Sequence, residues 1–466
     1  MSKLSLSKWI CALMMACAIA SAARAQVPAT SLPFNLIARP LPQTASDPMG
    51  LKMVKAVLLM RHGVRPPTST SKFQAYAAGT FPSNGPTGWN APDGNLTSEG
   101  AVLVQAFGSI ERSLYAAKGI VSRSGCPAAN EAFIWADNAD ERTQATATAL
   151  LAGLYNGCTF SHYYCAGAAA DPLFSAPVSL PNPAAAVQAV YSHMGATSSG
   201  NFAAVQTYAA ALLNQMQTVL GCCSNTICSS NSLSAGCSFP QLPMTVTSGS
   251  GSLSLNGSLG TGSSIAQIFE LEYENGFTGS NLGFGLIAEQ NVQQLEQLYT
   301  LKYDLFDRTP VLAQQNGSMI AQQMLNAVQQ AIPGQAVSGT TGAPPNAGLT
   351  IFVGHDSTQA ALGGMLNLHW SFPSYPADDM PAGGTLGFEI LTDGAGNYYV
   401  RPIYLVMTLD AMHAGLPTVV YKAPTYQAIQ LPGCSLDSMR LCTVADFVTL
   451  MQNAIVAADT VPETYQ

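Results

Sequence analysis

The chain runs through Val54-Lys55-Ala56-Val57-Leu58-Leu59-Met60 directly into Arg61-His62-Gly63-Val64-Arg65-Pro66-Pro67-Thr68. The first seven residues are apolar except for Lys55, and an apolar run of this length is typical of a buried strand. The octapeptide that follows would then lie in a loop at the carboxyl end of that strand, where open α/β sheets bind their ligands. Gly63 lets the backbone approach closely, and the two prolines prevent the segment from continuing as a helix. The stretch therefore predicts an α/β fold with a binding loop after an early strand.

The predicted loop places two guanidinium groups, Arg61 and Arg65, around the imidazole of His62. Guanidinium groups offer planar, multidentate donors that match phosphate oxygens. An imidazole between them can attack phosphorus, because its ring nitrogen is unprotonated in a useful fraction near its reference pKa of about 6.5. We therefore predict a phosphate-binding loop in which His62 is the nucleophile.

Two further segments follow predicted strands in the same way. The strand Leu349 to Val353 leads into Gly354-His355-Asp356-Ser357-Thr358, with a helix predicted to begin near Thr358. Asp140-Glu141-Arg142-Thr143 follows the strand Ala132 to Ala136 and opens a helix, whose first N–H groups favour an anion. Parallel strands of one sheet would bring both segments to the edge that carries His62.

These residues could supply the parts that phosphate ester cleavage needs. Arg61, Arg65 and Arg142 with His355 would stabilise the phosphate oxygens, and Asp356 would give a proton to the leaving alcohol. An unperturbed Asp has a pKa of about 3.9, so a working acid requires low pH or a pKa raised beside the phosphate anion. Activity at acidic pH is therefore predicted. Taken singly, Arg65 could pair with a surface carboxylate, His355 could be a satisfied core histidine, and Asp356 could cap the following helix.

The amino terminus predicts export. Lys3 and Lys8 precede an apolar stretch from Trp9 to Ala20, and Ala23-Arg24-Ala25 then gives a cleavage site before Gln26. Residues 1–25 are therefore predicted to be a signal peptide, and the mature protein to be periplasmic or secreted. Removing Lys3, Lys8 and Arg24 takes the net charge from −8 to −11, which disfavours nucleic acid and anionic membranes as partners.

Nine cysteines remain after this cleavage, and in an oxidising compartment they favour disulfides over metal binding. A zinc site among Cys222, Cys223, Cys228 and Cys237 is disfavoured because the segment is rich in Ser and Asn and has no nearby His. An odd count leaves one thiol unpaired or intermolecular. The remaining five cysteines are Cys126, Cys158, Cys165, Cys434 and Cys442.

The order of predicted elements indicates two domains. Strand and helix patterns alternate over residues 51–160, helical spacing dominates from about Pro181 to Gln330, and strand patterns return at Leu349. We predict an α/β catalytic domain formed by residues 26–175 and 340–466, with a mostly parallel sheet flanked by helices, and a mainly helical insertion at 176–339. Within the insertion, the Gly/Ser-rich stretch from Ser248 to Ser264 is predicted to be a loop. Further strands are predicted at Leu386–Leu391 and Tyr398–Met407, and helices at Thr97–Gly119, Glu141–Leu154, Phe202–Leu220, Ile265–Tyr273 and Val292–Leu305.

The chain resembles the histidine acid phosphatases, in the branch that holds bacterial periplasmic phytases and glucose-1-phosphatases. Residues 61–68 resemble the family's RHGxRxPT signature, His355-Asp356 its HD pair, and Arg142-Thr143 its intervening RT element. Similar segments extend over most of the mature chain, at Leu96-Thr97, Asp171–Phe174, Arg308–Pro310, Leu362–Gly364 and Pro381–Gly384.

The resemblance implies a phosphoglycerate-mutase-like fold with the substrate between an α/β lobe and a helical lobe. It implies a phosphohistidine on His62, Asp356 as proton donor, and phosphate binding by Arg61, Arg65, Thr68, Arg142 and His355. It implies no metal and no organic cofactor, and we expect a monomer. It also implies the disulfides Cys126–Cys158 and Cys434–Cys442, with two further bridges open among the other five cysteines.

The predicted function is that of an exported acid phosphomonoesterase acting on small organic phosphates such as phytate or a sugar phosphate. Family members that hydrolyse phytate often carry Lys after the signature Thr and read HDTN, whereas this chain has Ser69, with Lys72 one turn on, and reads His355-Asp356-Ser357-Thr358. The substrate therefore stays open. Two alternatives are a phosphoglycerate-mutase-like phosphotransferase and a catalytically dead phosphate or sugar-phosphate binding protein.

Overall fold

The structure is a computed structural model that describes residues 50–166, 170–196, 201–249, 251–335, 337, 342–415, 425–434, 440–463 and 465. The predicted signal peptide, residues 1–25, lies outside these residues. Within them, no helix combines the length and the apolar character needed to cross a membrane.

A seven-stranded sheet organises the fold, and a separate two-stranded hairpin lies outside it. The strands are β1 (Lys52–Arg61), β2 (Ala132–Ala136), β3 (Thr245–Gly249), β4 (Ser252–Asn256), β5 (Leu349–Gly354), β6 (Thr385–Thr392), β7 (Tyr398–Val406), β8 (Thr425–Ala428) and β9 (Cys442–Thr443). The sheet follows the order β2-β5-β1-β6-β7-β8, with β9 beside β7, and the hairpin is formed by β3 and β4. The strands β1, β2 and β5 are parallel, whereas β6 to β9 pair in antiparallel fashion.

The predicted α/β class, a sheet flanked by helices, is confirmed, but the sheet is mixed rather than mostly parallel. The reason lies in the connections. Residues 393–397 alone join β6 to β7, and so short a link permits only an antiparallel pair, whereas a parallel pair needs a crossover of a dozen residues or more. The parallel strands are those that long helical connections separate in sequence.

The apolar run that predicted β1 is buried on both faces of the sheet. Val57 and Leu59 pack into one core, and Ala56, Leu58 and Met60 pack into the other. The Ser98–Ala117 and Glu141–Leu154 helices contribute to the second core, and the Pro310–Gln329 and Asp356–Leu366 helices contribute to the first. Helices on both faces explain why residues 56–60 of β1 are all apolar.

Two helices on the second face approach each other unusually closely. A Cβ at Gly108 would lie 2.5 Å from the Leu150 carbonyl oxygen, and one at Gly153 would overlap the carbonyl oxygen of Gln105. Glycine at both positions therefore lets the Ser98–Ala117 helix pack against the Glu141–Leu154 helix. The latter helix carries Arg142 in its first turn.

The stretch from Ser248 to Ser264, predicted to be a loop, is largely regular structure. It contains parts of the β3–β4 hairpin and the first turns of the Gly257–Glu274 helix. The small residues serve close packing, because a Cβ at Gly260 would overlap the carbonyl oxygen of Leu255. The predicted helix from Val292 to Leu305 is also divided, into Glu289–Leu295, Gln297–Lys302 and a π-helical turn, Tyr303–Asp307.

Side chains from the predicted insertion and from the sheet share one core, since Leu213, Phe269 and Leu298 belong to the same buried cluster as Val57 and Leu59. The boundaries at 175/176 and 339/340 stay predictions. The other α-helices are Thr70–Gln74, Pro183–His193, Ala203–Leu220, Asn225–Ser230, Leu409–Ala414 and Val444–Ala454, and the short 3-10 helices are Phe239–Gln241, Gly279–Asn281, Gly283–Gly285 and Ala457–Asp459.

Among the described residues, four cysteine pairs lie at disulfide-bonding distance. Cys126–Cys158 and Cys434–Cys442, which the family resemblance implied, are both present. The two pairs left open by the sequence are Cys222–Cys223 and Cys228–Cys237. The ninth cysteine, Cys165, is buried outside these four pairs.

Candidate active site

The segments that follow β1 and β5 meet at one edge of the sheet. Arg61 pairs with Gly354 in the parallel register of these strands, so the next residues, His62 and His355, emerge side by side. Their ring centroids are 5.7 Å apart. Asp356 follows at the start of the Asp356–Leu366 helix, and its Oδ2 lies 3.3 Å from Arg61 Nη2.

The backbone of His62 is held from both sides. Its N–H donates to the Gly354 carbonyl at 2.9 Å, and its own carbonyl accepts from the Gly383 N–H at 3.1 Å. The next N–H, of Gly63, donates to Thr146 Oγ1 at 2.9 Å. A Cβ at Gly63 would lie 2.8 Å from side-chain carbons of Leu96 and Val104, so any larger residue there would force these side chains to shift.

The hydrogen bonds of His62 fix which ring nitrogen carries the proton. Nδ1 lies 2.9 Å from the Gly63 carbonyl oxygen, which only accepts, so Nδ1 is protonated and Nε2 carries the lone pair. Arg65 Nε lies 3.4 Å from that Nε2. Burial lowers the pKa of His62 well below its usual value, and the positive charges of Arg65, Arg142 and Arg61 lower it further. The ring is therefore neutral and nucleophilic even in acid.

Arg61 and Arg65 are both buried beside this ring. Arg61 Nη1 donates to the Met380 carbonyl, while its Nε and Nη2 make no hydrogen bond to any described residue. Arg65 Nη1 donates to the Pro66 carbonyl at 2.9 Å, so Arg65 is not a surface ion-pair partner. Burial, with the neighbouring Arg142 and Arg61, lowers the pKa of Arg65 to about 10, which leaves it charged at any physiological pH. Two buried cations thus face the position in front of His62 Nε2.

Arg142 and His355 are oriented by carboxylates. Both terminal nitrogens of Arg142 donate to Asp140 at 2.7 Å, and His355 Nε2 donates to Asp137 Oδ2 at 2.7 Å. In the sequence, Asp140 and Glu141 only mark the start of a predicted helix. The structure adds the pairing of Asp140 with Arg142, while Glu141 accepts from the Leu96 N–H at 3.0 Å.

Several donors surround the Asp356 carboxylate. Its Oδ2 accepts from Tyr299 Oη and Gln267 Nε2, both at 2.8 Å, and lies near Arg61, while its Oδ1 accepts from the Ser357 N–H at 2.7 Å. Burial alone would raise the pKa of Asp356, but Arg61, His62, Arg65 and the Tyr299 hydrogen bond outweigh it and hold the pKa well below its usual value. Asp356 is therefore ionised when no phosphate is bound.

The remaining predicted residue, Thr68, has an exposed side chain at the end of the loop. Gly94 separates it from Arg142, since a Cβ there would lie 3.8 Å from Thr68 Cα and 3.7 Å from Arg142 Nη1. The structure thus brings Arg61, His62, Arg65, Arg142, His355 and Asp356 together and leaves Thr68 at the rim.

The sequence motifs do not predict three further residues of the site, Asp137, Gln267 and Tyr299. Asp137 follows β2 directly, so its position at a strand end was a usable signal. Gln267 and Tyr299 lie within helices whose apolar periodicity indicated only packing, and no motif distinguishes them.

A buried carboxyl cluster lies behind Arg61. Oxygens of Glu270, Glu296 and Asp379 lie within 4.8 Å of one another, and Glu270 Oε2 is 4.0 Å from Arg61 Nη1. Burial raises the pKa of Glu270 to about 7 and those of Glu296 and Asp379 well above their usual values. Such carboxyls are protonated in acid, where they share hydrogen bonds rather than present the charge that a cation would need.

Comparison with known proteins gives consistent matches over nearly the whole described chain. Residues 52–405 match the model of the histidine phosphatase superfamily, branch 2. The chain is 29% identical to the phytase AppA of Escherichia coli over 92% of this chain and 98% of the relative, and 26% identical to a glucose-1-phosphatase of Salmonella typhimurium over 88% and 95%. The solved structure of a Hafnia alvei phytase with tartrate superposes with a TM-score of 0.78 at 27% identity, covering 89% of this chain and all of that one.

Proposed function

The chain belongs to branch 2 of the histidine phosphatase superfamily, and on that premise we propose that it is an exported enzyme that hydrolyses organic phosphate monoesters through a phosphohistidine on His62. The reaction class is that of histidine acid phosphatases, as for the curated phytase and glucose-1-phosphatase relatives. The observation that carries the proposed mechanism is the hydrogen bond from His62 Nδ1 to the Gly63 carbonyl. It leaves the Nε2 lone pair facing the buried guanidinium groups.

In the first step, His62 Nε2 attacks phosphorus and the bond from phosphorus to the ester oxygen breaks. Arg61, Arg65, Arg142 and His355 stabilise the phosphoryl oxygens as their charge redistributes. Asp356 gives its proton to the departing alkoxide, which leaves as the alcohol. Asp356 is ionised in the free site, so it acquires this proton as the phosphate anion binds and raises its pKa.

In the second step, water attacks the phosphorus of the phosphohistidine. Asp356, now a carboxylate, accepts a proton from this water, and the bond from phosphorus to nitrogen breaks. Inorganic phosphate leaves, and His62 returns to its neutral form. Together the two steps consume one ester and one water and require no other reactant.

The rim of the site supports a substrate with a single phosphate. Ser69 offers no charge, and the exposed Asp93 accepts from both the N–H (2.8 Å) and the hydroxyl (2.9 Å) of Thr70 at the mouth. Lys72, on the Thr70–Gln74 helix, is exposed. A polyphosphorylated ring needs several cations around its outer phosphates. We therefore propose a sugar phosphate or similar small monoester in preference to phytate.

The central test is acid-quench labelling with a radiolabelled monoester. We expect wild type to yield an acid-labile phosphoenzyme, His62→Ala to yield none, and Asp356→Asn to label with an aryl ester but to lose turnover. His193→Ala, on an exposed helix end, is the matched control and should label normally.

Three outcomes would contradict the proposal. Wild type that neither labels nor releases phosphate would favour the binding-protein alternative, and transfer to an added acceptor in place of water would favour the phosphotransferase. A panel of phytate, glucose 1-phosphate and an aryl phosphate tests the substrate, and a higher kcat/KM for phytate than for the monophosphates would overturn the substrate proposal.

A further inference from the structure

One side chain from the helical region connects the phosphate-binding residues to the proton donor. Gln267, half-buried on the Gly257–Glu274 helix, donates through Nε2 to Asp356 Oδ2 at 2.8 Å and accepts at Oε1 from Arg65 Nη2 at 3.3 Å. Its orientation is determined by its partners, because a carboxylate can only accept from the amide nitrogen and a guanidinium can only donate to the amide oxygen. The neutral amide of Gln267 therefore bridges Asp356 and Arg65, because it donates to one and accepts from the other. An ionisable side chain in its place would add a charge to the site.

The hydrogen bonds of Asp356 are distributed unequally between its two oxygens. A carboxylate oxygen has two lone pairs. Tyr299 Oη and Gln267 Nε2 donate to Oδ2, which also lies 3.3 Å from Arg61 Nη2, whereas the Ser357 N–H donates to Oδ1. The phenol of Tyr303 also hydrogen-bonds to this carboxyl group. Oδ1 is consequently the less saturated of the two oxygens.

Resting on the function proposed above, we propose that Gln267 is a positioning residue for the acid step. By saturating Oδ2 together with Tyr299, it leaves Oδ1 as the atom that takes up a proton and passes it to the leaving oxygen. When the ester bond breaks, the proton moves from Oδ1 to the alkoxide, Asp356 becomes a carboxylate, and Oδ2 keeps both of its hydrogen bonds throughout. The geometry of the donor is thus set by a residue that touches neither phosphorus nor the alcohol.

The effect of losing Gln267 on kcat/KM should therefore depend on the leaving group of the ester. An alkyl ester expels a strongly basic alkoxide that needs the proton, whereas a nitrophenyl ester expels a stable anion that needs it far less. Loss of the Gln267 bridge to Arg65 would weaken phosphate binding for both esters alike, so that effect cancels in the ratio of their kcat/KM values. The ratio therefore isolates the positioning role.

The test compares glycerol phosphate with nitrophenyl phosphate for wild type, Gln267→Met and Tyr299→Phe. We expect the alkyl-to-aryl ratio of kcat/KM to fall roughly tenfold or more in both variants, as for loss of a group that orients a general acid. Ser264→Ala, one turn earlier on the same helix and outside the site, is the control and should keep the wild-type ratio.

Gln267→Glu supplies a second readout. The carboxyl group that this variant carries cannot donate to Asp356 when ionised but can donate when protonated, so the alkyl-to-aryl ratio should recover as the pH is lowered below about 5. Other groups facing Asp356 titrate or carry charge in both proteins, so wild type measured in parallel corrects for them. These are Arg61, His62, Arg65, Glu270, Tyr299, Tyr303 and Asp307.

An unchanged ratio in Gln267→Met, with wild type active and forming a phosphoenzyme, would overturn this inference and leave the proposed function intact. A ratio in Gln267→Glu that fails to recover in acid would also count against it. Wild type without a phosphoenzyme would instead overturn the proposed function itself.

Discussion

Single side chains in the site differ sharply in how the protein sets their charge. His62 is buried among guanidinium groups, which disfavour its protonated form, whereas the same groups favour the ionised form of Asp356. The same positive charges therefore lower the pKa of both residues, so that His62 is neutral while Asp356 is ionised in the free site. A neutral imidazole suits a nucleophile whose partner must exchange a proton.

The lowered pKa of His62 predicts activity in acid. We expect the kcat/KM of wild type for an aryl phosphate to persist well below pH 6.5, because His62 stays unprotonated there. Among the neighbouring charges, Arg65 contributes most to the lowered pKa of His62, so Arg65→Gln should raise that pKa. The acid limb of the pH–rate profile should then move to higher pH. The variant should also lose on the order of a hundredfold in kcat/KM through the missing phosphate contact.

A pH–rate profile of both proteins checks this expectation. Arg308→Gln, at a buried arginine remote from the site, controls for the loss of one positive charge. An acid limb that stays in place in Arg65→Gln would show that this guanidinium does not set the protonation of the nucleophile.

Among the structural elements, the Glu141–Leu154 helix controls the position of Arg142 through its close contact with the Ser98–Ala117 helix. In Gly153→Ala the new Cβ would overlap the Gln105 carbonyl oxygen, so the helices must separate. We expect a loss of about 1–3 kcal/mol in the free energy of unfolding, as for overpacked cores, together with a raised KM because Arg142 shifts.

Urea unfolding and steady-state kinetics measure the two effects. Thr148→Ala, on the half-buried side of the same helix, removes only a local bond to Gln144 and should change the free energy of unfolding little. A Gly153→Ala protein with wild-type stability would mean that the two helices tolerate a wider spacing than the structure indicates.

Elements and site were predictable to different degrees. Strong local patterns predicted the buried strands and the Glu141–Leu154 helix, and strand-end motifs predicted the residues around His62. The prediction of a loop from Ser248 to Ser264 was wrong, because the glycines there reflect close packing rather than loop conformation. Gln267 and Tyr299 could not be predicted, because they reach Asp356 across 89 and 57 residues of sequence and their contact depends on how the helices pack.

For the whole molecule, buried acids link stability to pH. Burial raises the pKa of Glu111 and of Asp171 to about 8 and that of Glu270 to about 7. Between about pH 4.5 and these values, each group is protonated in the folded state and ionised in the unfolded state, so the free energy of unfolding falls as the pH rises. Each contributes a slope of up to about 1.4 kcal/mol per pH unit. Asp356, whose pKa is lowered, has the opposite effect. The stability that it contributes is lost only as the pH falls below the usual pKa of an aspartate.

We therefore expect the melting temperature to be highest in mild acid and to decline towards pH 8. Glu111→Gln, remote from the site, should flatten this decline, whereas Glu141→Gln, at the exposed start of its helix, should leave it as in wild type. Thermal unfolding followed by circular dichroism across this range gives the slopes. A melting temperature that rises steadily with pH would contradict the expectation.

The backbone around His62 is bonded to strands on both sides, since Arg61 donates to the Gly384 carbonyl, His62 to Gly354, and Gly383 to His62. These amide hydrogens lie at the ends of central strands and join three segments, so we expect them to exchange with solvent only when the whole fold opens. We therefore expect no partly loosened state of the nucleophile, and activity in rising urea should disappear along the same curve as the folded structure.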